Sequence, residues 1–179
     1  DVNYFSGVAL TKALLPLWLQ ARQGHVVQVS SVQGFFGMPG RTAYAATKHA
    51  ARGFYDALRA EVEDRGVSVT VVAPGYVNTN HSRNAASGSG ATYPEGHTAK
   101  GVPPDVLAPR LLAAVARRRA EFVPAALDAQ LARFLRLLCP PLLFRIMQRR
   151  ARKERTQQTA GVVGGAAEAM AAATAPEAS

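Results

Sequence analysis

The chain has 179 residues, of which 48% are hydrophobic and 18% charged, and a formal net charge of +9. That balance places it among soluble globular proteins with enough apolar mass for one domain or part of one. No apolar run of about 18 uncharged residues occurs, which excludes a transmembrane helix or signal peptide within this sequence; the single cysteine, Cys139, excludes an internal disulfide, and His25, His49, His81 and His97 lack metal-ligand spacing.

Residues 2–22 carry Val2, Phe5, Ala9 and Leu10 at helical spacing, with Pro16 expected to bend the helix and Gly24 marking its end. An apolar run at residues 25–30 predicts a buried strand, which ends in Ser30 and Ser31. The segment 32–40 is rich in turn formers, and its Phe35, Phe36 and Met38 either line a pocket or serve plain packing. Residues 42–65 predict a long helix capped by Gly66, and residues 67–73 a second buried strand closed by Pro74 and Gly75.

Strand, helix, strand with near-continuous valine runs indicates an α/β fold with a parallel sheet covered on both faces. Residues 76–104 lack apolar periodicity and read as a long loop. A helix at about 105–119 and a short third strand at 120–124 follow. Residues 156–179, dominated by Ala, Gly, Thr and Glu, predict a disordered tail, and the glycines at 161, 164 and 165 fit a tail better than a phosphate-binding turn because no strand precedes them.

Charge is distributed unevenly. Residues 1–109 hold nine Lys/Arg against seven Asp/Glu, whereas residues 110–155 hold twelve against three. Between residues 127 and 155 these cations accompany Leu131, Phe134, Leu135, Leu138, Leu142, Leu143, Phe144 and Ile146. An apolar face beside clustered cations suits an anionic membrane surface; packing against another part of the protein or a partner subunit is the competing reading. Nucleic acid is the least supported, because no stacking platform or recognition motif accompanies the charge.

Chemistry concentrates at Tyr44 and Lys48. Their spacing, i to i+4, puts both side chains on one helix face. A cation beside a phenol favours its ionised form, so the pair predicts a group able to give a proton to a carbonyl oxygen or take one from an alcohol. Ser31, at a strand end 13 residues earlier, is placed to hold the same oxygen by a hydrogen bond that strengthens as charge builds. The bland alternative for Tyr-x-x-x-Lys is a solvated helix face.

The stretches Asp1-Val-Asn-Tyr-Phe5, Val29-Ser-Ser-Val-Gln-Gly34, Ala43-Tyr-Ala-Ala-Thr-Lys-His-Ala50 and Ala73-Pro-Gly-Tyr-Val-Asn-Thr79 resemble the short-chain dehydrogenase/reductase family, over residues 1 to about 155. The resemblance implies the C-terminal half of a Rossmann-type, doubly wound parallel sheet without its N-terminal strands. Residues 1–125 would be that half-domain, with a substrate lid at 76–104; residues 126–155 would form a basic amphipathic extension ahead of the tail at 156–179.

It also implies roles. Tyr44 would be the general acid/base, Lys48 would hold the nicotinamide ribose, Ser31 would polarise the substrate carbonyl, and Asn3 would hold a water in a proton relay. Pro74, Gly75, Val77 and Thr79 would meet the nicotinamide carboxamide. The implied reaction moves hydride between NADP or NAD, with NADPH preferred, and a ketone or secondary alcohol, including lipid-like ones. The Gly-rich phosphate-binding turn of the family does not occur in the sequence.

A homodimer is implied as well, and a membrane-associated location at the endoplasmic reticulum or peroxisome. The alternative is a truncated, catalytically inactive piece acting only through membrane or protein association.

Overall fold

The computed structural model describes residues 2–79 and 101–173, with side chains up to residue 156. Three parallel strands, β1 (Gly24–Val29), β2 (Val67–Val72) and β3 (Glu121–Phe122), lie in that order in one sheet. Helices α1 (Phe5–Ala21) and α2 (Thr42–Val62) precede and connect the first two strands; α3 (Pro104–Ala116) leads into β3, and α4 (Leu127–Leu138) and α5 (Pro140–Ala173) follow it. The chain is thus α/β, as its valine runs predict.

The connecting helix owes its position to one stripe. Ala45, Lys48, Ala51, Tyr55, Leu58 and Val62 recur at helical spacing and are the buried residues of α2. Tyr55, Leu58 and Val62 join Val26, Val67, Val69 and Val71 in the main core, and Leu15, Trp18 and Leu19 of α1 pack against it. Burial of each such aliphatic side chain contributes roughly 1.5–3 kcal/mol. Gly66 ends the helix at φ 83°, a conformation that a side chain disfavours.

A second core lies beyond the strand ends. Val32 and Phe36, after β1, meet Ala132 of α4 and Leu143 of α5. The C-terminal helices therefore fold back over the site end of the sheet.

Three differences from expectation have physical causes. Helix α1 starts at Phe5, because residues 2–4 form a turn. Strand β1 is a sheet edge with one uncovered face, where Val27 and Val29 are exposed rather than buried; a valine run reports β propensity and cannot tell one covered face from two. Helix α5 continues through Ala173, into the predicted disordered tail, in keeping with alanine as the strongest helix former. Residues 174–179 and positions 80–100, the body of the expected lid, lie outside the described residues.

Candidate active site at the strand ends

Parallel pairing carries past the last strand residues and sets Ser31 beside Pro74. The Ser30 amide donates to the Val72 carbonyl at 2.7 Å, and the Val32 amide donates to the Pro74 carbonyl at 3.0 Å. Ser31 then caps a short 3-10 turn, Val32–Gly34, its hydroxyl accepting the Gln33 amide at 3.2 Å. The hydroxyl is held by the chain that follows it, which fixes its direction while leaving its proton free to donate.

That turn is pressed onto α2. A Cβ on Gly34 would stand 3.0 Å from the Lys48 carbonyl oxygen and 3.4 Å from Ser30 Oγ. Glycine is what lets the serine-bearing turn reach the helix carrying Tyr44 and Lys48.

Lys48 falls on the core stripe of α2, not on a solvated face, and is only 8% exposed. Its ammonium stands over the Tyr44 ring, 5.4 Å from the centroid, in cation–π geometry. Burial pushes the Lys48 pKa below its ordinary value. Tyr44 is half-buried.

The other expected residues are placed unequally. Pro74, Gly75 and Val77 are half-buried beyond β2, and Gly75 is anchored by its amide donating to the Pro124 carbonyl at 3.1 Å. Thr79 is exposed, with its amide donating to the Val77 carbonyl at 2.9 Å. A parallel bridge between Val77 and Val102 joins the two ends of the 76–104 segment. Asn3 is exposed in the turn before α1, and neither it nor the Ser31 hydroxyl, which is bonded to the Gln33 amide, makes a hydrogen bond to Tyr44 or Lys48 among the described residues.

A cavity of about 680 Å³ begins one residue past Ser31, at Val32, and reaches Gly75 and Tyr76 on its other side. Phe36 and Met38 line it, but Phe35 does not. The Phe35 ring instead lies under two guanidinium groups, Arg52 at 3.9 Å and Arg133 at 4.9 Å from its centroid. The far wall comes from α4 and α5, including Leu135, Leu143, Met147 and Arg150. Sequence reasoning missed this wall; the signal available was the inward spacing of Ala132, Leu135, Leu143 and Met147 on two successive helices. Arg150 donates to Glu154 at 2.8 Å.

No group of three His, Cys, Asp or Glu side chains suited to a metal ion occurs among the described residues. The arrangement combines a phenol with a lysine ammonium over its ring, a hydroxyl held by the turn that follows it and, from the next residue on, an apolar cavity that Ser31, Tyr44 and Lys48 do not themselves line.

Comparison with known proteins bears on this arrangement. A family model described as short chain dehydrogenase matches residues 1–89, a span that contains every candidate residue named above for proton transfer. Dehydrogenase/reductase SDR family member 7B of Bos taurus is 50% identical over 157 residues, covering 87% of this chain and 48% of the relative. Dehydrogenase/reductase SDR family protein 7-like of Drosophila melanogaster is 48% identical over 154 residues, covering 85% of this chain and 47% of the relative. Among solved structures, a short chain dehydrogenase from Burkholderia cenocepacia J2315 in complex with NADP superposes with a TM-score of 0.65 at 25% identity, over 82% of this chain and 56% of that one. The chain spans about half the length of the curated relatives it matches.

Proposed function

The chain belongs to the short-chain dehydrogenase/reductase family, and from that premise we propose that it carries the proton-transfer end of an NADP(H)-dependent enzyme acting on an apolar, lipid-like ketone or the matching secondary alcohol. The observation that supports this reading is the packing of the Ser31-bearing turn, through Gly34, against the backbone of Lys48, whose ammonium lies over the Tyr44 ring, with an apolar cavity beginning at Val32.

The fit of a nicotinamide cofactor rests on Lys48. Lys48, a buried residue, forms no salt bridge among the described residues, so an acceptor such as a ribose hydroxyl suits its ammonium, and the Val77 amide beside Gly75 offers a donor to a carboxamide. Pro74, Gly75 and Thr79 complete the candidate contacts. Bound there, the cofactor supplies or accepts the hydride.

The chain's own residues handle the oxygen. In the reducing direction the Ser31 hydroxyl donates to the substrate carbonyl oxygen, and its hydrogen bond strengthens as the oxygen gains charge. Tyr44 Oη gives that oxygen its proton, leaving a phenolate that the Lys48 ammonium stabilises. Oxidation runs the same steps backwards, with Tyr44 taking the alcohol proton. Asn3 has a place in a relay returning protons to Lys48 only through water, since its side chain is exposed.

The apolar walls formed by Phe36, Leu135 and Leu143 favour a substrate with a long hydrocarbon portion. The segment 76–104, bridged at its base, serves as the lid. Residues 1–125 act as the cofactor-binding half-domain and 126–155 as a basic extension contacting a membrane surface, in keeping with a location at the endoplasmic reticulum or peroxisome and a homodimeric enzyme. No described helix is long and apolar enough to cross a membrane.

A second reading, a catalytically silent piece working through association alone, is favoured by the exposed apolar side chains that accompany the clustered cations of residues 127–155. Nucleotide titration separates the two. The chain alone and a fusion supplying the portion of the bovine relative that it does not cover are each titrated with NADPH and NADH. The proposal expects the fusion to bind NADPH more tightly than NADH; a fusion that binds neither nucleotide favours the association reading.

A further inference from the structure

The α4–α5 hairpin holds eight of the seventeen large hydrophobic residues exposed among the described residues. Along α4, Leu127, Leu131, Phe134 and Leu138 recur at i, i+4, i+7 and i+11 and form one narrow stripe, all of it exposed. Leu137 and Leu138, at the turn into α5, are 79% and 78% exposed. Cys139, Pro140, Pro141 and Leu142 follow, so six uncharged residues occupy the hairpin tip. Exposed apolar surface this contiguous marks a contact site.

Charge identifies the occupant. The tip is bracketed by Arg136 and Arg145, and on α5 the stripe begun by Leu142 and Ile146 continues as Arg149 and Lys153 one and two turns further on. Apolar residues at the tip with cations set back along the same face match the layering of a bilayer, hydrocarbon below anionic headgroups. A protein partner would need acidic groups at that same set-back, whereas an anionic leaflet supplies them everywhere.

The cavity opens on this face. Leu131 and Ile146 both line it and are both exposed, at 56% and 42%. We infer that the tip and outer stripe of the α4–α5 hairpin dock into an anionic lipid leaflet, and that the cavity mouth between Leu131 and Ile146 faces the membrane, so that an apolar substrate enters from the lipid. The substrate route rests on the function proposed above, and the docking locates the membrane contact proposed there for residues 126–155.

Cys139 provides the test, because the chain's one thiol is exposed at the tip. The full chain, labelled there with an environment-sensitive fluorophore, is mixed with phosphatidylcholine vesicles with and without phosphatidylserine, in the absence of nucleotide and substrate. The expected result is a blue shift and quenching by doxyl-lipids with the anionic vesicles, weakened by salt. Replacing Arg136, Arg145 and Arg149 by Gln is expected to weaken partitioning about fivefold per arginine.

The Leu137→Glu, Leu138→Glu variant is expected to remain in solution unbound. Both side chains point to solvent, and circular dichroism checks that the fold survives. A second label at Leu131→Cys in a Cys139→Ser background is quenched if the mouth faces the lipid; quenching at position 139 alone overturns the route. Absence of binding by the unaltered chain, equal binding by the double glutamate variant, or a dimer that this variant converts to monomer overturns the docking.

Discussion

Lys48 shows how one residue can serve folding and chemistry together. Its position on the core stripe of α2 buries the aliphatic stem and delivers the ammonium to the Tyr44 ring. The partner of that placement is Gly34, whose missing side chain lets the Ser31 turn lie against the Lys48 carbonyl. Gly34→Ala brings a methyl to 3.0 Å from backbone, and backbone yields poorly. Chemical denaturation should show a loss of about 1–3 kcal/mol, and a change within experimental error would mean that the turn is not held against the helix. The Tyr44–Lys48 pair and Ser31 were legible in the sequence because helical spacing and strand ends fix local direction. The close approach at Gly34 was not, since the segment from Val32 to Gly40 announces turns without saying what they touch.

Among the elements, α4, one wall of the cavity, is tied to β3 and to α2 through one carboxylate. Glu121 of β3 pairs with Arg52 of α2 at 2.7 Å and with Arg133 of α4 at 3.0 Å. Both guanidinium groups also lie over the Phe35 ring, just after the Ser31 turn. All three ion-pair members are partly exposed, which limits each pair to about 1 kcal/mol or less. A double-mutant cycle of Arg52→Met with Glu121→Gln should return a coupling near that value, and additivity would show that the bridge does not hold α2 to β3. Strands and long helices were readable from valine runs and from apolar periodicity. The bridge was not, because its members come from three segments that only the folded sheet brings together, and the same holds for the cavity wall. Phe35 illustrates the point: an aromatic in a loop predicts a pocket or a packing contact, and here it carries two cations.

The molecule as a whole divides its work between two cores. One lies between α1, α2 and the sheet; the other, between the Ser31 loop and the α4–α5 hairpin, shapes the cavity. Net charge follows the same division, with the excess cations gathered after residue 110. The fold class and the succession of three strands along residues 24–122 could be expected from patterning alone, but not their order in the sheet. The exposed face of β1 could not, since coverage is a property of neighbouring elements and not of the strand.

The account turns on Tyr44 as the proton carrier, and the most direct measurement is the turnover of Tyr44→Phe in the fusion described above, with NADPH and a long-chain ketone. Removal of a single hydroxyl should lower kcat by about 10²–10⁴-fold while leaving the NADPH Kd and the melting curve unchanged. Turnover retained within a few-fold of the unaltered fusion would contradict it.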